Sequence, residues 1–208
     1  MASWEGTASA DLPQSRPPQL AQVPAEAGFA AAAAPAPTRP SSAPAATGKG
    51  FAGGGRRGRL TEADGKLPEG STVFDSQYPG IANLSPALLE ALRKAAGQAS
   101  SDAVVFEVNS GWRSAAYQGW LLGQAVAKYG SEEEAARWVA IPDKSLHVSG
   151  QAVDLGADAA EWLADHGAGL GLCQVYQNEP WHFELRLEAP AQGCPAIWPD
   201  PTHDPRLN

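Results

Sequence analysis

The sequence predicts an α+β fold; two observations carry that expectation and a third bounds the folded region. Helix and strand signals follow one another without the regular alternation that a parallel sheet requires. The last two strand-like runs, "GLCQVY" and "WHFELR", are joined by "QNEP", a turn too short for a parallel crossover, so they read as an antiparallel hairpin. Aromatic residues are concentrated late in the chain: six of seven Trp, all four Tyr and all four His lie beyond residue 67.

The elements follow in order. Residues 1–67 are dominated by Ala, Pro, Gly and Ser, with no sustained apolar period. Such a segment buries too little surface to offset the entropy of ordering it, so a low-complexity, disordered N-terminal tail is expected there, with the domain over 68–208. About 140 residues suffice for one sizeable core. "NLSPALLEALRKAAG" reads as a helix with Ser85 as N-cap and Pro86 in the first turn. "AVVFEVN" reads as a strand from its β-branched and aromatic content. A helix over 115–129 ends near Gly130, and "SEEEAARWVA" starts another, with Ser131 and Glu134 in capping-box spacing. "QAVDL" reads as a strand with Ala152 and Asp154 on one face and Val153 and Leu155 on the other. "ADAAEWLADHG" repeats the capping device with Asp158, Glu161 and a stop at Gly167. The hairpin follows, and "DPTHDPRLN" is a Pro-rich tail.

Charge narrows the functional classes. Residues 1–67 hold 7 basic against 5 acidic side chains, whereas 68–208 hold 8 against 18. An acidic domain is a poor binder of a phosphate backbone, so no nucleic-acid partner is expected, and the basic "GRRGR" reads as a solvated linker. No stretch approaches the roughly 18 apolar residues of a membrane helix. The opening "MASWEGTASADLPQ" lacks the basic start and apolar run of a secretory signal. Cys173 and Cys194 fit one disulfide in an oxidising compartment, and equally two separate buried thiols.

Chemistry concentrates in two stretches. "SLHVSGQAVDL" carries His147 and Asp154 among small and apolar residues, with Gly150 permitting a bend between them and small neighbours leaving room for a ligand. In "NEPWHFEL", Trp181, Phe183 and Leu185 alternate with His182 and Glu184; an aromatic face turned to the core projects His182 from the other side, with Glu179 close by in the turn. Two histidines and a carboxylate are the ligand set of a catalytic zinc site, which keeps a fourth position for water. A nearby Glu outside that set can move the water's proton. Arg113, after a predicted strand in "SGWRS", can hold an oxyanion or a substrate carboxylate. Taken singly, each residue has a plainer reading: a hydrogen-bonded histidine, a capping Asp, a turn-bonded Glu, an Arg paired with one of many acids. His166 and His203 have no companions at ligand spacing and read as structural or solvated, and HExxH is absent.

Joint occurrence changes the weighing. "SLHVSGQAVD" fits S-x-H-x-x-G-x-A-x-D, "EPWH" fits E-x-W-H, and "SGWRS" with Tyr117 and Gln118 resembles the S-G-[YW]-R-S…Y-Q segment, all in the order found in the zinc D-alanyl-D-alanine carboxypeptidases and dipeptidases, the VanY-type metallopeptidases. The resemblance covers about residues 72–190. It implies a small domain with a central antiparallel sheet flanked by helices. One Zn2+ would be bound by His147, Asp154 and His182, with Glu179 as catalytic base and Arg113 stabilising the oxyanion. Ser145 and Gln118 would bind substrate. The implied activity is removal of the terminal D-Ala from peptidoglycan stem peptides or precursors; a dipeptidase acting on free D-Ala-D-Ala and a non-catalytic cell-wall-binding module are the alternatives. The implied location is extracytoplasmic, with a cytoplasmic dipeptidase as the alternative. In an exported protein a Cys173–Cys194 disulfide is expected, bracing the strand that carries His182.

Overall fold

A computed structural model of the chain describes residues 60–207. Most of the segment read as a disordered tail, including "GRRGR", lies outside those residues. Its described end is tied to the domain: Thr61 and Asp64 cap a 3-10 turn over Glu62–Asp64, and the Asp64 carbonyl accepts from Ser114 N–H at 2.8 Å.

The helices are α1 (Pro79–Ala82), α2 (Pro86–Ala99), α3 (Ala115–Tyr129), α4 (Glu132–Ala136), α5 (Ala157–His166) and α6 (Ala189–Gln192). The strands are β1 (Val108–Ser110), β2 (Ala152–Leu155), β3 (Leu172–Gln174) and β4 (His182–Leu185), forming one sheet in the order β1-β2-β4-β3 with every pair antiparallel. The fold is α+β, as the sequence predicts. Two helices start at the expected caps, Ser85 and Ser131, and the helix over 115–129 is capped by Ser114; each of the three accepts a backbone N–H three residues on.

Three elements differ from expectation for identifiable reasons. β1 begins only at Val108, because Val104 N–H is taken by the Ala99 carbonyl and Glu107 N–H by Val105, which leaves them out of the ladder. Asp158 is not the cap of α5; Gly156 is, its N–H anchored on the Glu107 carbonyl at 2.9 Å, and Asp158 sits in the first turn, where its charge favours the helix dipole. The β3–β4 hairpin is shorter than its apolar runs because Val175 and Gln177 hydrogen-bond Trp198 of the C-terminal segment instead of continuing the hairpin.

One sheet face makes the core. Val108, Val153, Leu155, Leu172 and Phe183 pack with Leu88 and Leu92 of α2 and Trp162 and Leu163 of α5. Each such side chain removed from water contributes about 1.5–3 kcal/mol. Trp181, grouped by alternation with that face, instead lies outside β4 and is 41% exposed. The opposite face carries Asp154, His182 and Glu184, all buried.

Two glycines are required by close approach. Gly150 has φ 71°, and a Cβ there would come within 2.3 Å of the Asn83 carbonyl oxygen. Its smallness therefore serves the docking of that loop on the start of α2, where Ser85 N–H donates to the Gly150 carbonyl at 2.7 Å, rather than making room for a ligand. A Cβ on Gly111 would lie 2.1 Å from the Gly80 carbonyl oxygen.

Cys173 and Cys194 form a disulfide with Cα atoms 5.6 Å apart, linking β3 to the segment after α6. Native protein should show no titratable thiol before reduction. Replacing both cysteines by alanine should cost about 3 kcal/mol in chemical denaturation, the chain-entropy value for a loop of this length.

Candidate metal centre

The site begins with strand register. β2 and β4 pair so that Asp154 lies opposite His182, and the two-residue period puts both on the face away from the core. His147 arrives from the loop before β2, held there by Arg113 N–H donating to its carbonyl at 3.2 Å. Three donor atoms meet. His147 Nε2 is 3.3 Å from Asp154 Oδ1, His182 Nδ1 is 3.2 Å from the same oxygen, and the two nitrogens are 3.3 Å apart. A tetrahedral ion with ligand bonds of about 2.0–2.1 Å has donor–donor edges of about 3.3 Å. The near-equilateral triangle therefore matches one face of such a coordination shell, and the set fits a metal ion on its own geometry.

The imidazole tautomers agree. His147 Nδ1 donates to the Gly111 carbonyl at 2.8 Å, leaving the Nε2 lone pair for the triangle. His182 Nε2 lies 3.3 Å from Glu184 Oε1, leaving Nδ1 for the same point. Glu184 is in turn gripped by Arg206, whose Nη1 donates to Oε2 at 2.7 Å and Nη2 to Oε1 at 3.2 Å, while Arg186 Nη2 lies 2.9 Å from Oε2.

The electrostatics are those of a pocket that demands positive charge. Burial lowers the affinity of His147 for a proton, and the Arg113 cation lowers it further. Burial alone would raise Asp154, but the charges of His147 and Arg113 outweigh it and hold the carboxyl well below its usual range. At His182 burial is again outweighed, here by hydrogen bonds to Asp154 and Glu184, and its pKa rises to about 9. A cation between the three donors would answer the same carboxylates that hold this proton. Glu184, despite burial, is brought down to about 2 by His182 and Arg206.

Glu179 differs from the other acids. It is buried, with Oε2 3.6 Å from His182 Nδ1, and among the described residues its Oε1 has no hydrogen-bond partner. Burial pushes its pKa up to about 7. It shares a cavity of about 250 Å³ with the three donor residues, Arg113 and Ser145. Trp138 and Trp181, both partly exposed, line the same cavity.

Arg113 bridges the site and its support. Its Nη2 donates to Asp154 Oδ2, Nε to Ser110 Oγ at 2.7 Å and Nη1 to Gln118 Oε1 at 3.1 Å. Gln118 is engaged at both ends of its amide, because Nε2 also donates to the Ala140 carbonyl at 2.8 Å. It therefore props Arg113. His166 bonds the Trp162 carbonyl and stacks on that indole, and His203 bonds Asp200, so both stand apart from the cluster.

Glu184 and Arg206 carry no role in the sequence reading. Glu184 had a signal, since period two puts it on the face of His182. Arg206 had none, because its contact with Glu184 spans 22 residues of chain.

A triangle of buried donors thus lies beside a buried carboxylate on the wall of one cavity, an arrangement that could hold a metal ion. Residues 82–170 match the VanY family model, described as D-alanyl-D-alanine carboxypeptidase, which is the family the motifs resemble. That span holds Arg113, Gln118, Ser145, His147 and Asp154; Glu179 and His182 follow it. A D-alanyl-D-alanine carboxypeptidase of Enterococcus faecalis (strain ATCC 700802 / V583) is 31% identical over 111 residues, taking in 41% of this chain. The chain spans 41% of the length of that relative. Among solved structures, the D,D-pentapeptidase VanY of a VanB-type vancomycin-resistance cassette, in complex with Zn(II), is 26% identical with a TM-score of 0.46, covering 49% of this chain and 72% of its own. VanYB in complex with D-alanine-D-alanine gives 26% and 0.46, covering 49% and 71%. An L,D-carboxypeptidase, DacB, of Streptococcus pneumoniae gives 28% and 0.44, covering 56% and 74%.

A buried carboxylate with an unpartnered oxygen costs folding free energy. Glu179→Gln should therefore raise the stability of the metal-free protein by about 1 kcal/mol in urea unfolding, the usual direction when a functional strain is relieved.

Proposed function

We propose that the chain is a zinc-dependent D-alanyl-D-alanine carboxypeptidase acting on peptidoglycan stem peptides or their precursors. The observation that carries this is the donor triangle, 3.2–3.3 Å on each side, with the Glu179 carboxylate 3.6 Å from one apex and its Oε1 unpartnered among the described residues. The family match supports the substrate class. His147, Asp154 and His182 hold the ion. Bound there, zinc supplies Lewis acidity toward the scissile carbonyl and toward water.

The chain's own groups do the rest. Glu179, with a proton affinity poised near neutrality by burial, takes the proton of the attacking water on its free Oε1 and returns it to the departing amine. Arg113 has five N–H donors, three of them occupied, so two remain for the developing oxyanion while the ion pair with Asp154 holds the fork in place. Ser145, on the cavity wall, binds the substrate's terminal carboxylate, and Gln118 contributes by fixing Arg113. An extracytoplasmic location accords with the disulfide, which persists under oxidising conditions. Among the described residues no helix is long and apolar enough to cross a membrane.

Exhaustive chelation should abolish D-Ala release, and zinc should restore it; full activity in chelator would sink the metal assignment. Glu179→Gln should keep its zinc and lose about 10²-fold or more in kcat, the scale of general acid–base catalysis. His147→Ala should lose zinc itself. Comparing free D-Ala-D-Ala with an N-acylated tripeptide ending in D-Ala-D-Ala tests the substrate: a carboxypeptidase prefers the acylated peptide, whereas exclusive cleavage of the dipeptide marks a dipeptidase. Peptidoglycan binding without D-Ala release would identify a binding module.

A further inference from the structure

The C-terminal segment runs from the disulfide at Cys194 to Leu207 and reaches the site by several independent ties. Trp198 bonds Val175 and Gln177 through its backbone, Asp200 accepts from Arg137 Nε at 2.9 Å, and Tyr176 O–H donates to Asp204 at 2.9 Å. Pro201 and Leu207 form part of the cavity wall.

Arg206 makes the connection that bears on chemistry. Its guanidinium is shared between two buried carboxylates: Nε and Nη2 donate to Asp204, Nη1 and Nη2 to Glu184. Glu184 needs holding at one oxygen in particular. Oε1 is the atom that meets His182 Nε2, whereas Arg186 lies against Oε2. Among the described residues only Arg206 spans both oxygens, and it thereby fixes the carboxylate plane and with it the direction in which Oε1 faces the imidazole. The Tyr176 ring, tied to Asp204, packs 5.0 Å from the His182 ring and limits its rotation from another side.

We propose that Arg206 is a positioning residue of the metal centre: through Glu184 it locks the ring and tautomer of His182 so that Nδ1 completes the donor triangle. This rests on the reading of His147, Asp154 and His182 as metal ligands. A C-terminal segment with no motif of its own thereby becomes part of the site.

Zinc affinity of the folded protein, measured by competition with a chromophoric chelator well below the unfolding temperature, tests it. Arg206→Ala should bind zinc about 10–100-fold more weakly than wild type, the usual effect of removing an outer partner of a metal-bound histidine. Arg206→Lys keeps the charge but lacks the fork, and should recover only part of the loss. Arg137→Ala cuts a different tie of the same segment and should leave zinc affinity at the wild-type value. Equal affinity for Arg206→Ala and wild type overturns the proposal, as does an Arg137→Ala loss as large as that of Arg206→Ala, which would assign the effect to general ordering of the segment. If Arg206→Ala does not fold, Arg206→Lys decides, and wild-type affinity there overturns it. A wild-type protein that binds no zinc overturns the metal reading itself, and that failure is distinct from the others.

Discussion

The antiparallel register that sets Asp154 opposite His182 across β2 and β4 is the constraint on which the rest of the structure depends. A slip of one residue would turn both side chains into the core and bring Val153 and Phe183 out to the cavity. Register is held strongly because Val153, Leu155 and Phe183 are all but fully buried on the core face. The apolar face thus sets the polar one. Hydrophobic burial on one side of a four-stranded sheet places two donor groups to within a few tenths of an ångström on the other.

Burying so much charge then needs matching. Asp154 is answered by Arg113, and Glu184 by Arg206 and Arg186, each in a contact that offsets part of the desolvation cost. Glu179 is the exception, with its Oε1 buried and unpartnered. Matched acids are fixed supports and stay ionised. The unmatched one is pushed towards neutrality, where a carboxyl can both accept and return a proton. The difference between Glu179 and the two supporting carboxylates lies in their partners, since all three are of similar burial.

Much of this was legible in the sequence. Helix starts were readable at Ser85 and Ser131 because a cap is a local interaction, encoded within three residues. The facing of β2 followed from period two, and the clustering of His147, Asp154 and His182 from the resemblance of their motifs to those of a known family. What escaped was non-local. The hairpin's early end depends on Trp198, and the true cap of α5 on an anchor at Glu107. The role of Gly150 depends on a carbonyl at Asn83, and the support of His182 on Arg206. No window of sequence contains both members of these pairs.

The same locality argument explains why an unremarkable C-terminal segment can matter to the site. A metal-binding imidazole needs its ring plane and its tautomer fixed, and a strand supplies neither; it delivers only the Cα position and the face. At His147 a backbone carbonyl, Gly111, completes the task, and it is held in turn by the close packing of the 111 region on Gly80. At His182 no carbonyl among the described residues serves, and a carboxylate on the next position of the same face takes its place. That choice brings a buried negative charge, which then requires a cation. Neighbouring Arg186 reaches one oxygen, and the second is met by Arg206. The tail is therefore the last link in a sequence of requirements that starts at the imidazole, each step created by the physical cost of the one before.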